Sequence, residues 1–284
     1  MRYSVFYHHI CLAAKEMRCS VEKMLDTIRA WGVTHVEIDR DQAGETEEDI
    51  RAFSCMLKRH DLKPSNICGF YDWGSIGEMP EKEALLIRQA QLLGCERVMV
   101  IPGLYSGEEA ARDQEKARML AGMQRLVSRA QEAGLTVTIE CFDNARSPIA
   151  TIAGMEEFLQ AAPGLGVTLE TGNFLFSGED ILQAQQCFRG KVRHVHLKDR
   201  YLPAREGGAV PGHLRGGTPT TSVVGEVMLP CAVGQGHIPM ETVLAGLEAD
   251  GYEGLMTIEH FGAASYAQAI RDSIDWLLAR EARA

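Results

Sequence analysis

The sequence lacks any segment that reads as an export or membrane signal. Its first residues, MRYSVFYHHI, have no basic start, apolar run or small-residue cleavage site, and no later apolar stretch reaches about 18 residues. A cytoplasmic location and no membrane partner are expected. The eight cysteines include no CxxC pair, and several, such as Cys95 and Cys141, lie in strand-like apolar runs where a reduced thiol behaves as a small hydrophobe. All eight read as structural. No GxGxxG or GxxxxGK[ST] turn is present, which argues against a doubly wound, phosphate-binding open sheet. Nor is there a dense Lys/Arg stripe to offset a formal net charge of -10, so nucleic acid is a poor partner and none is expected. A small phosphorylated ligand remains compatible, because a metal and a few local cations outweigh distant surface charge.

What is present is a chain of 284 residues with 45% hydrophobic and 24% charged side chains, enough for a large core and a charged surface. Short β-branched runs alternate with helix-sized segments. THVEI precedes a helix near Glu47 to Arg59, and RVMVI precedes one from about Asp113 to Gln131. YSVFYHHI, LKPSNICGF, LTVTIECF, GVTLET, VRHVHLK and LMTIEH complete eight strands. Glycine closes the helix before several of them, as in AWGVTHVEI and LLGCERVMV. The pattern predicts an α/β fold, a single (β/α)8 TIM barrel over residues 1–284, a fold that occupies about 250 residues. The stretch from about Tyr201 to Gly236, rich in Gly and Pro, reads as one long irregular loop on the C-terminal rim, a lid or substrate-shaping wall. A contact in a homo-oligomer is its other use.

Four strands end in a potential metal ligand: TVTIE at Glu140, VTLE at Glu170, HVHLK at His196 and LMTIE at Glu259. Alternation puts Thr138, Thr168, His194 and Thr257 beneath them on the same face. The other face carries Val137, Ile139, Val167, Leu169, Val195, Leu197, Met256 and Ile258, as packing against outer helices requires. The polar face is therefore the barrel interior. Three carboxylates converging at one rim repel one another, and a divalent cation resolves the conflict. Three carboxylates and one imidazole suit one Mn2+, the first choice, or Mg2+, Co2+ or Zn2+. A single strand-end Glu is as readily a salt-bridge partner, but four in register are not.

These motifs resemble the xylose isomerase-like barrel superfamily, and its sugar phosphate isomerase/epimerase branch in particular. LETGN is similar to that family's sixth-strand end, HVHLKD to its seventh, VGQGHIPMETVLAGLEADGYEG to the following helix and IEHF to its eighth strand. The resemblance implies metal ligands at Glu140, Glu170, His196 and Glu259, with Glu140 and Glu259 also the catalytic acid/base pair. The expected reaction is isomerisation or epimerisation of a small sugar, polyol or sugar phosphate, by proton transfer beside a carbonyl with a metal-stabilised enediolate. Three departures stand out. Glu170 replaces the family's usual Asp, Arg146 follows the fifth strand where ketose 3-epimerases carry a further Glu, and Asn173 replaces a substrate-binding His.

The remaining candidates for substrate binding are His9, Glu37, Asn66, Asn173, Lys198 and His260. His8 and His9 read as closing the first strand, Glu37 the second and Asn66 the third. Lys198 shares a register with His196 and serves either a substrate oxygen or a ligand carboxylate. His260 follows Glu259 and points either to the rim or beneath a helix. His194 reads as hydrogen-bonded support below the ligands, and Tyr71 with Trp73 as an apolar wall or as core. His237, just before a helix, reads as part of its cap. Two further functions compete. One is a metal-dependent dehydratase of inosose or dehydroshikimate type, and the other an endonuclease on abasic DNA, which the charge disfavours. A barrel that binds sugar without turnover is the non-enzyme reading.

Overall fold

The computed structural model describes residues 2–283. Its strands are β1 Arg2–Phe6, β2 His35–Asp39, β3 Lys63–Phe70, β4 Arg97–Ile101, β5 Thr136–Ile139, β6 Gly166–Glu170, β7 Val192–Leu197, β8 Asp199–Tyr201, β9 Thr220–Thr221, β10 Val227–Cys231 and β11 Leu255–Ile258. Strands β1 to β7 and β11 form a closed parallel barrel, sealed where Arg2 to Val5 of β1 run opposite Leu255 to Ile258 of β11. The expected (β/α)8 TIM barrel is what the chain adopts.

Alternation explains the layers. Inside the bore, Ser4 pairs with Ser65 and Thr138 with Thr168, each pair of hydroxyls 2.8 Å apart. Outside, Val137, Ile139, Val167, Leu169, Val195 and Leu197 are buried in the main apolar cluster against the helices. Helix Glu47–Arg59 has the expected bounds, and Arg112–Glu132 extends the expected one by a residue at each end. Gly94 caps helix Pro80–Leu93 at φ 78°, a left-handed conformation that only glycine adopts without strain.

Three expectations are corrected. The first strand stops at Phe6, and Tyr7–Glu16 is a helix, so His8 and His9 stand in its first turn. His9, Ile10, Ala13 and Ala14 are its buried stripe, and that 3.6-residue spacing overrides the β-like run before it. Strands β2 and β3 reach Asp39 and Phe70, which leaves Glu37 and Asn66 below the rim. The stretch from Tyr201 to Gly236 is not one irregular loop. Its strand β10 pairs antiparallel with β8 and β9, and Tyr201, Leu214, Leu229 and Cys231 form a small core of their own. These strands are two to five residues long and separated by Gly and Pro, too short to show a period.

All eight cysteines are free. No helix among the described residues is long and apolar enough to cross a membrane.

Candidate metal and substrate site

The C-terminal end of the barrel holds a cavity of about 420 Å3. Glu140 and Glu259, each one residue past a strand, contribute to its lining. Between them lies His196, the fifth residue of β7, with no exposed surface. Its Nδ1 is 2.7 Å from Glu140 Oε2 and 3.1 Å from Glu259 Oε2. Neither Glu140 Oε2 nor His196 Nδ1 has a hydrogen-bond partner of acceptable geometry. Buried polar atoms are rarely left so. Two carboxylate oxygens and an imidazole nitrogen converging on buried residues in this way form a group that could hold a divalent metal.

Electrostatics separates the two carboxylates. Burial raises the Glu140 pKa, opposed by His196 and assisted by Glu259. Burial also acts on Glu259, but Lys198 and His196 hold its carboxyl well below the usual range. Lys198 Nζ is 2.8 Å from Glu259 Oε1 and 2.9 Å from Asn173 Oδ1. Burial would lower the Lys198 pKa, yet Asp143 and Glu259 raise it, so the ammonium is fixed in its charged form. His196 is likewise raised, against burial, by the carboxylates of Glu37 and Glu140.

Glu170 is not brought into this group. Its carboxylate folds back on its own turn and accepts from the Gly172 amide at 3.0 and 3.1 Å and from the Asn173 amide. The methylene that distinguishes Glu from Asp gives the side chain the length to make that turn. Burial, with the charges of Glu259 and Glu140, pushes its pKa up to about 8.

Beneath His196, a second group is built around a carboxylate whose two oxygens are both paired. Glu37 Oε1 accepts from His196 Nε2 at 2.9 Å and Asn66 Nδ2 at 2.8 Å. Its Oε2 accepts from His194 Nε2 at 2.8 Å and from Thr257 Oγ1. Glu37, Asn66, His194 and Thr257 have no exposed surface, so Glu37 and Asn66 do not stand at the rim. His194 has the supporting place its register suggested.

A profile of the family described as Xylose isomerase-like TIM barrel matches residues 25–280. The chain belongs to that family. It is 25% identical over 158 residues to the inosose dehydratase of Geobacillus thermodenitrificans, covering 55% of this chain and 50% of that protein. The inosose dehydratase of Lacticaseibacillus casei is 25% identical over 150 residues, 52% of this chain and 47% of its own length. The chain thus spans about half the length of the curated relatives it matches. Among solved structures, it resembles the probable 3-DHS dehydratase AsbF of Bacillus anthracis, with TM-score 0.73 at 14% identity over 98% of this chain and 99% of that one. It also resembles the 3-keto-D-glucoside 4-epimerase YcjR of E. coli, with TM-score 0.67 at 19% identity over 98% and 99%. At these identities the likeness to the solved structures is one of fold.

Within this family barrel, the other sequence candidates fall behind the cavity wall. His9 is buried without a bonded ring nitrogen, its ring set edge-on to Phe261 at 4.6 Å. His260 lies beneath helix Tyr266–Glu281, its Nε2 3.0 Å from Ser273 Oγ, and burial lowers its pKa to about 4. Asn173 spends its amide inside the protein, donating to the Cys141 carbonyl and accepting from Lys198. His237 accepts from the Leu202 amide at its Nδ1, and Pro239 takes the cap position of helix Met240–Ala249. Tyr71 and Trp73 stack on each other at 4.5 Å in the core. The apolar wall is instead made by Phe6, Phe70, Phe142 and Phe261.

Sequence reading missed those four rings and the polar wall residues, Asp39 and Cys68 among them. Asp39 caps the turn Arg40–Gln42, and burial, with nearby acidic groups, pushes its pKa up to about 6. Its position two residues past Glu37 on the same strand face was the available signal. Cys68 donates to Glu37 Oε1 at 3.1 Å.

Proposed function

We propose that this chain is a divalent-metal-dependent enzyme that removes a proton from carbon beside the carbonyl of a small sugar or polyol, and that the reaction ends in isomerisation or epimerisation. The observation that carries this is the convergence at the cavity of Glu140 Oε2, His196 Nδ1 and Glu259 Oε2, on three buried residues, with the first two atoms unpaired. A divalent ion there would stabilise the negative charge that grows on the carbonyl oxygen as the neighbouring carbon loses its proton. Glu140, with the higher proton affinity, is the stronger base. Glu259, whose proton affinity Lys198 lowers, keeps the centre anionic and, as the stronger acid of the two, is the one that readily gives a proton back on the other side. The four phenylalanines keep water from the reacting carbon and give a sugar ring an apolar face to lie on. Glu170 would join the ligand set only by leaving its two backbone amides.

A second ending, loss of water to give a dehydrated ketone, is favoured by the similarity to inosose dehydratases. Both endings start from the same proton removal.

The test measures metal content by mass spectrometry in the wild type and in a Glu140→Ala/Glu259→Ala variant. Keto-inositols and ketoses are then incubated with the loaded wild type in D2O. Stoichiometric metal lost in the variant, with deuterium appearing beside the carbonyl, is the expected result. An unchanged mass apart from deuterium marks isomerisation or epimerisation, and a lost water with new ultraviolet absorbance marks dehydration. No metal bound after reconstitution would overturn the reading.

A further inference from the structure

We propose that Glu37 is the positioning residue of the metal centre: it keeps a proton of His196 on Nε2, so that Nδ1, between Glu140 and Glu259, is the nitrogen that gives up its proton to a metal and ligates it. The inference rests on the metal reading above and concerns how this chain presets its nitrogen ligand.

The geometry has two halves. An imidazole carries nitrogens on opposite edges, and a neutral ring is a donor at one and an acceptor at the other. His196 Nε2 is 2.9 Å from Glu37 Oε1, while Nδ1 stands 2.7 and 3.1 Å from the oxygens of Glu140 and Glu259. Whichever group dictates the proton at Nε2 therefore dictates whether Nδ1 is free to ligate.

Glu37 can dictate it because its own state is overdetermined. Besides His196, it accepts from Asn66 Nδ2 and Cys68 Sγ at Oε1, and from His194 Nε2 and Thr257 Oγ1 at Oε2. With these neighbours all donating, the carboxylate is an acceptor towards His196 as well, and a carboxylate that accepts fixes the proton on Nε2. The side chains come from β2, β3, β7 and β11, so the closed barrel itself clamps the group. Water does not compete, since Glu37, His194 and His196 have no exposed surface.

The same pairing explains why Glu37, His194 and His196 are not a second metal site, although their ligand atoms also lie within 4.8 Å of one another. Each Glu37 oxygen is already occupied by hydrogen bonds, whereas Glu140 Oε2 and His196 Nδ1 are not. The lower group supports the upper one. Carboxylates behind metal-bound histidines act in this way, and their removal weakens metal affinity about 10- to 100-fold.

The test strips the full chain of metal and titrates Mn2+ by calorimetry into the wild type and Glu37→Gln. We expect the variant to bind about 10- to 100-fold more weakly while remaining folded by circular dichroism. A role confined to packing would lower the thermal midpoint and leave the affinity of the folded protein unchanged, which overturns the proposal. Should Glu37→Gln fail to fold, 15N-histidine spectra of the Zn2+-loaded wild type decide. The signal of His196, identified by its absence in His196→Asn, should show a protonated Nε2 and a metal-shifted Nδ1, and the reverse assignment overturns the proposal. A wild type that binds neither Mn2+ nor Zn2+ brings down the metal reading and this inference with it. A wild type that binds while Glu37→Gln binds equally well brings down this inference alone.

Discussion

Replacing Lys198 by methionine tests the electrostatics of the site before any substrate is known. Methionine keeps the length and most of the packing of the lysine stem and removes only the ammonium. That ammonium sits 2.8 Å from Glu259 Oε1 and 2.9 Å from Asn173 Oδ1, with 4% of the residue exposed. Breaking a buried ion pair from one side costs about 3–5 kcal/mol, because the other charge is left uncompensated. The loss should lie towards the lower end of that range, for two reasons. Asp143 retains Arg200 Nη2 at 2.7 Å, and Glu259 retains His196 Nδ1 at 3.1 Å. At about 2 °C per kcal/mol for a chain of this size, the metal-free protein should melt about 6 to 8 °C lower. The pH dependence follows from the sign of the shift. Glu259 titrates below its ordinary value of 4.5 in the native state, so its pairing stabilises the protein above that pH and is lost on further acidification. The gap between wild type and variant should therefore be full at neutral pH and close as acid protonates Glu259. Calorimetric melts of the metal-free proteins across that range are the assay. A variant as stable as the wild type at neutral pH, or a gap that widens in acid, would refute the reasoning.

Three further outcomes are expected. His35, whose pKa is lowered from 6.5 to about 4 by burial and by Arg2, Lys63 and Arg97, binds its proton more weakly in the native than in the unfolded state. Stability should be intact above pH 6.5 and fall by about 3 kcal/mol towards pH 4, and urea titrations should find that loss reduced in His35→Gln. Gly122→Ala would drive a Cβ into the Trp73 indole ring, so overpacking of about 1–3 kcal/mol should outweigh a helix-propensity gain of about 1 kcal/mol, and a raised melting point would contradict this. Asp199 accepts from the amides of Arg200, Gly234, Gly236 and Ile238, so Asp199→Ala should destabilise the protein by about 3 kcal/mol and speed hydrogen exchange at those four amides in particular. Uniform exchange along the chain would count against that role.

What the sequence made legible and what it hid divide along a physical line. The two-residue period of β5, β7 and β11 assigns Glu140, His196 and Glu259 to the interior without any knowledge of neighbours, because alternation is a local property of a strand. The same period extended to β2 would have put Asp39 above Glu37 on one face, but THVEI offers no mark that the strand runs on to residue 39. Strand length, unlike strand phase, is set by how far the neighbouring strand continues, and β3 continues to Phe70. The error at His9 has the same origin. Its run of residues satisfies both periods, and the helix prevails because Ile10, Ala13 and Ala14 find a buried face there. Glu170 fails for a different reason. Its phase was legible and its backbone is where alternation puts it, yet the carboxylate bends to amides two and three residues ahead. A rotamer is chosen by competition between partners, and the backbone amides of Gly172 and Asn173 are the partners that hold this one. The partnership of Glu37 with His196, 159 residues apart and across the bore, lies beyond any local pattern. It exists because closing eight strands in register brings β2 and β7 face to face, so the support of the site is a property of the barrel and its ligands a property of the strands.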